Sequence, residues 1–156
     1  MLHRPRADHV GGGTALLYKE SFNIRQFAAG EKSSFELSEY LIDASSFQFR
    51  LVIIYRIPNS AVHPITSSTL FLELSDYLDS LLLSKVPICI YGDFNFHIDF
   101  SSDVDPAKFV DLLESMCLTQ HVRSPTHIQG HILNLVITRN SDNFIKGRPI
   151  SDRFIF

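Results

Sequence analysis

The chain has 156 residues, 45% of them hydrophobic and 20% charged. That is enough for one domain with a buried core, and too apolar for a disordered segment. A net charge of −3 creates no global field that would draw the chain to nucleic acid, so any such role must rest on a local patch.

The predicted elements follow in order. Gly11-Gly12-Gly13 lead into a strand at Thr14-Ala15-Leu16-Leu17-Tyr18. No Lys-Ser/Thr pair and no helix follow the glycines, so they read as a tight turn or a close backbone approach rather than a phosphate loop. Phe35 to Asp43 alternates imperfectly and reads as a strand. Phe47 to Tyr55 is a stronger, largely buried strand, ended by Pro58-Asn59-Ser60. Leu70, Leu74, Tyr77, Leu78, Leu81 and Leu82 recur at threes and fours, which predicts a helix over 68–83. A core strand follows over 86–91. Asp105-Pro106 reads as an N-cap and first turn. Phe109, Leu112, Leu113, Met116 and Cys117 form the apolar face of that second helix. Residues 132–138 read as another strand, and the stretch Arg153-Phe154-Ile155-Phe156 as part of one more.

Strands outnumber helices and the two mix. The expected class is therefore α/β or α+β, a layered sandwich with helices on its flank, formed by a single domain over 1–156. The 13 phenylalanines sit mostly in apolar runs and read as core. Cys89 and Cys117 read as buried, reduced thiols, which fits an intracellular setting. No apolar run approaches the ~20 residues that span a bilayer, and Met1 to Arg6 lack the apolar stretch of a signal peptide. The expectation is no membrane role and a location in the nucleus or cytoplasm.

The chemistry gathers at Tyr91-Gly92-Asp93-Phe94-Asn95. A carboxylate and a carboxamide two apart on an extended segment would share one face. At a strand's end they would present a charge and a neutral hydrogen-bonding group to a water or a phosphate. His121, His127 and His131 do not have the spacing of a structural zinc site. Arg4, Arg6, Arg123, Arg139, Lys146, Arg148 and Arg153 are candidates for a basic surface, with scattered solvated charges as the plainer reading.

Eight segments, in order, carry a wider likeness: His3-Arg4-Pro5-Arg6, Gly11 to Leu17, Tyr55-Arg56-Ile57-Pro58, Gly92-Asp93-Phe94-Asn95-Phe96-His97, Gln120-His121-Val122, Pro125-Thr126-His127, Gly130 to Thr138, and Ser151-Asp152-Arg153. Together they resemble the endonuclease/exonuclease/phosphatase superfamily, in the branch carried by LINE-type retrotransposons. The resemblance implies a partial two-sheet, DNase-I-like sandwich flanked by helices, a single partial domain over 1–156 that lacks the family's opening strands. It also implies a Mg²⁺-dependent endonuclease that cuts DNA with a metal-activated water, in a parent protein with a downstream reverse transcriptase. By the same resemblance, Asp93 orients or deprotonates the water and Asn95 holds the water or the phosphate. Tyr55 donates its hydroxyl to a phosphate oxygen. Asp152 sits at the metal with Asp93, through water. The histidine hairpin would lie near the DNA-binding face.

The same comparison exposes three departures. The family's closing Ser-Asp-His is Ser151-Asp152-Arg153 here, and an arginine cannot cycle a proton near neutral pH. The aspartate that orients the lost histidine is Asn134. The family's opening asparagine and metal-binding glutamate fall upstream of the segment matching His3, and Glu20 and Glu31 come too late to replace the latter. The expectation is a degenerate, weak or inactive nuclease domain with an incomplete Mg²⁺ site. The alternative is a non-catalytic nucleic-acid-binding or interaction module derived from one.

Overall fold

A computed structural model describes residues 1–4, 13–44, 47–61, 64–96, 98 and 104–142. The elements are β1 (Leu2–Arg4), β2 (Thr14–Leu16), β3 (Asn23–Glu31), β4 (Phe35–Ala44), β5 (Phe47–Arg56), α1 (Ser67–Leu82), β6 (Ile88–Asp93), α2 (Val104–Ser115), β7 (Leu118–Gln120) and β8 (Asn134–Arg139). β3 to β8 form a six-stranded sheet in the order β3-β4-β5-β6-β8-β7, and β1 pairs with β2 in a separate two-stranded sheet. β3, β4 and β5 make an antiparallel meander. β5 and β6 are parallel, so the chain must cross over between them, and α1 is that crossover. β8 then pairs antiparallel with both β6 and β7.

Period-two alternation divides each central strand between two faces. Val52, Ile54, Ile88, Ile90, Leu135 and Ile137 point to one side, where they bury against Leu70, Leu74, Leu78 and Leu81 of α1 and Phe109 and Leu113 of α2. α1 starts cleanly because Thr66 caps it, its side chain accepting from the Thr69 N–H. Gly92 is required within this layer: a Cβ there would lie 2.0 Å from the backbone oxygen of Ile54. The opposite face of β4 is covered by β2, whose Thr14 hydroxyl meets Ser38, while the Gly13 N–H donates to Glu36 Oε2 at 2.8 Å. The layered, helix-flanked sandwich expected from the sequence is thus present.

Several local expectations change. β3 was not foreseen, because Ala28-Ala29-Gly30 are poor strand formers and the segment is an edge. Its pairing with β4 slips between Gln26 and Ala28, which throws Phe27 outward, 59% exposed, beneath the Arg50 guanidinium. Phe22 and Phe47 are exposed as well, so the phenylalanines are not all core. Cys117 is exposed and lies past the end of α2 at a φ of 55°, where the chain turns into β7. Asp105 lies inside the first turn of α2 rather than at its cap, and its carboxylate accepts from the Ser67 hydroxyl. Among the described residues no helix is long and apolar enough to cross a membrane.

Candidate active site

Strand register builds the site. Tyr55 pairs laterally with Asp93 across β5 and β6, and Asp93 with Asn134 across β6 and β8. Lateral partners share a face at about 5 Å spacing. Tyr55, Asp93 and Asn134 therefore stand in one row, on the face away from α1 and α2, and all three are half-buried.

Asn95 does not join that row. The extended chain ends at Asp93, and Asn95 adopts a φ of 49°, a left-handed conformation that asparagine tolerates. Its N–H donates back to Asp93 Oδ1 at 3.0 Å, and its carboxamide nitrogen donates to the Arg56 carbonyl at 3.0 Å. A shared face for the two side chains required extended backbone through Asn95. Instead Asn95 locks the turn that aims Asp93. Arg56 closes the same turn, donating from Nη1 to the carbonyls of Phe94 at 3.3 Å and Asn95 at 3.0 Å. Its guanidinium lies 4.0 Å from the Phe96 ring centre.

The other side of the row is held by the loop before β8. Thr126 Oγ1 accepts from the N–H groups of Leu133 and Asn134, each at 3.0 Å. The N–H groups of Thr126 and His127 donate to the His131 carbonyl, and the Gly130 N–H donates to the His127 carbonyl. Phe94 N–H reaches the Leu133 carbonyl at 3.1 Å, which joins this loop to the Asp93 turn.

Burial pushes the Asp93 carboxyl above its ordinary value, and the Asn95 N–H, His127 and Arg56 only partly offset it. Burial, then the Asp93 charge, also pushes up the Tyr91 phenol two residues back. Burial pulls the Arg56 guanidinium down, while Asp105 and Asp93 support its charge. Arg56 and His127 thus flank Asp93 electrostatically. Their role was not read from the sequence, although Arg56 follows Tyr55 directly and His127 follows the clamp residue Thr126.

Asp152, Arg153 and His97 lie outside the described residues. Among the described residues no three His, Cys, Asp or Glu side chains gather to hold a metal. Asp93 by itself falls short of the oxygen-rich set that Mg²⁺ takes. His121 instead pairs through Nε2 with the Thr138 hydroxyl at 2.8 Å, and burial, with Arg123 adding to it, pulls its pKa down. Of the candidate basic surface, Arg139 is used internally. Its guanidinium pairs with Asp142 and donates to the carbonyls of Leu82, Ser84 and Val86. Arg123 is exposed, and Arg6, Lys146 and Arg148 lie outside the described residues.

No family model matches the sequence, and no curated protein matches it. Solved structures do. The endonuclease domain of TRAS1, a telomere-specific non-LTR retrotransposon, matches with a TM-score of 0.53 at 10% identity, over 80% of this chain and 58% of that one. D. rerio TDP2 complexed with single strand DNA product matches with a TM-score of 0.51 at 10% identity, over 74% of this chain and 53% of that one. The chain has the endonuclease/exonuclease/phosphatase fold. The human Nocturnin catalytic domain with bound sulfate anion shares it, with a TM-score of 0.50 at 13% identity, over 75% of this chain and 48% of that one. The chain therefore spans about half the length of these neighbours. Within this endonuclease/exonuclease/phosphatase fold, Tyr55 and Asp93 stand at the C-terminal ends of two adjacent parallel strands, a common place for ligands in mixed sheets.

Proposed function

We propose that this chain is a nuclease-derived domain that holds the phosphodiester backbone of DNA at the Tyr55–Asp93–Asn134 row and cleaves it weakly or not at all. The observation that carries this reading is the register itself. It brings a hydroxyl, a carboxylate and a carboxamide onto one face at the strand ends, but only one of the three is acidic. Asp93 orients a water, Tyr55 donates to a phosphate oxygen, and Asn95 fixes the turn between them. The resemblance assigns Asp152 to the same metal, and it leaves Arg153 the part of stabilising phosphate charge without shuttling a proton.

Asn134 is neutral where a histidine-orienting carboxylate is needed. Loss of general acid–base help alone removes about 10²–10⁴-fold of rate. Mg²⁺ affinity rests on Asp93 with Asp152 and is expected to be weak. DNA is favoured as the ligand because one neighbour is a retrotransposon endonuclease and another holds a single-stranded DNA product. A reverse transcriptase in the parent protein and a nuclear or cytoplasmic setting complete the reading.

The test is nicking of supercoiled plasmid in Mg²⁺ beside an Asp93→Ala variant, with duplex binding measured over a salt series. The expected result is no nicking above the variant, together with binding that weakens steeply as salt rises. Strong Asp93-dependent nicking overturns the claim of impairment. Absence of binding at low salt overturns the DNA-holding role.

A further inference from the structure

The loop over residues 126–131 does more than start β8. Thr126 Oγ1 anchors it on the N–H groups of Leu133 and Asn134, and Asn134 is the lateral neighbour of Asp93. The next residue, His127, is therefore fixed at the edge of the row, and its side chain is exposed. Its Nδ1 accepts from the Gln129 backbone N–H at 3.3 Å. A neutral imidazole whose Nδ1 is occupied as an acceptor carries its proton on Nε2. The ring thus turns Nδ1 to its own loop and its one N–H away from it. In its protonated form the ring is also near enough to the row to be among the groups that lower the Asp93 carboxyl pKa.

We infer that His127 is a phosphate-binding residue of this site, its Nε2–H donating to a non-bridging oxygen of a phosphodiester held beside Asp93. This rests on the proposed function and adds a residue to it. Such an oxygen beside Asp93 needs a donor, because a carboxylate and a phosphate repel each other. Arg56 is partly committed, with Nη1 donating to the Phe94 and Asn95 carbonyls. The Asn95 N–H is committed to Asp93. His127 presents an N–H that its loop does not use. The loop is tied by backbone bonds around Gly130, at a φ of 85°, so little ordering is required when the anion arrives.

The experiment uses the full chain. Fluorescence anisotropy with a short duplex compares the parent with His127→Ala, His127→Gln and His121→Ala. In parallel, ¹⁵N NMR of the parent's imidazoles is followed as inorganic phosphate is added. His127→Ala should weaken binding by about 10- to 100-fold, the worth of one hydrogen bond to a charged group. Glutamine, which keeps an N–H donor, should recover most of it, and His121→Ala should change nothing. The NMR should show the proton on Nε2 of His127 and a phosphate-dependent shift at that nitrogen. Duplex binding that is unchanged in His127→Ala overturns the inference and leaves the proposed function standing. No duplex binding by the parent, with the His127 shift still present, overturns the DNA reading and leaves the anion site. A His127 ring protonated on Nδ1 and insensitive to phosphate sinks the site without any variant.

Discussion

Asp93 is held between opposing influences. Burial raises its pKa, and the Asn95 N–H, His127 and Arg56 pull it back without winning. The linkage follows from the sign of that net shift. A carboxyl whose folded pKa lies above its unfolded value binds its proton more tightly in the native state. Its contribution is fully favourable below the unfolded value and is lost as pH rises through the folded one. In its charged form Asp93 therefore costs the fold stability. Asp93→Asn keeps an oxygen to accept from Asn95 and removes the charge. Its melting temperature at pH 7 should exceed that of the parent, and the gain should shrink as pH falls through the raised folded value and be gone below the ordinary carboxylate value of about 3.9. Thermal melts of both proteins at pH 3.5, 5 and 7 check this. An equal gain at all three values would mean that burial is not what unsettles Asp93.

At the element scale, Glu73 ties the sheet to the crossover helix. From the second turn of α1 its carboxylate accepts from the Ser33 hydroxyl at 2.6 Å, the Ser34 N–H at 3.0 Å and the Ser34 hydroxyl at 2.5 Å. The Ser33 N–H adds a longer contact at 3.2 Å. The β3–β4 turn is thereby pinned to α1. Burial pushes the Glu73 pKa up, but the Ser33 and Ser34 bonds outweigh it and the net shift is downward. Its stabilisation is present above the unfolded pKa and is lost as pH falls through the folded one. Glu73→Ala should lower stability by about 1–2 kcal/mol at pH 7, read as a reduced urea midpoint. The deficit should close at low pH, where the parent carboxyl is itself protonated. This contact was not legible in the sequence, because Ser33-Ser34 and Glu73 are joined only by the fold. What was legible follows from periodicity. The leucines of α1 recur at helical spacing and bury together, and β5, β6 and β8 each show a run of apolar residues. β3 and β7 lack that signal, since one is an exposed edge with an outward bulge and the other spans only Leu118–Gln120. Asp93, Tyr55 and Asn134 were legible as separate motifs, but their alignment in one row was not. Register depends on which strands pair, and neither the parallel β5–β6 pair nor the return through β8 is encoded locally.

Across the whole molecule, core and chemistry lie on opposite faces of the same strands. Leu135 and Ile137 are buried beneath the helices, while Asn134 between the loop and Leu135 points the other way. A substitution in the row therefore leaves the packing that holds the fold almost untouched. The residues of the row can thus vary without disturbing the core beneath the helices. The separation also gives a direct test of what the neutral side chain does. Asn134→Asp would set a second carboxylate laterally beside Asp93, at a Cβ separation of about 4.5–5.5 Å. Like charges placed that way repel, so without divalent cations the variant should lose about 1 kcal/mol at pH 7. Two carboxylates in one row are also better oxygen donors for Mg²⁺ than one. Added Mg²⁺ should restore the variant's melting temperature by mass action while leaving the parent nearly unmoved. Melts in EDTA and in millimolar Mg²⁺ give the four numbers required. If Mg²⁺ raises both proteins equally, the carboxylate at this position is not what the parent lacks for holding the metal.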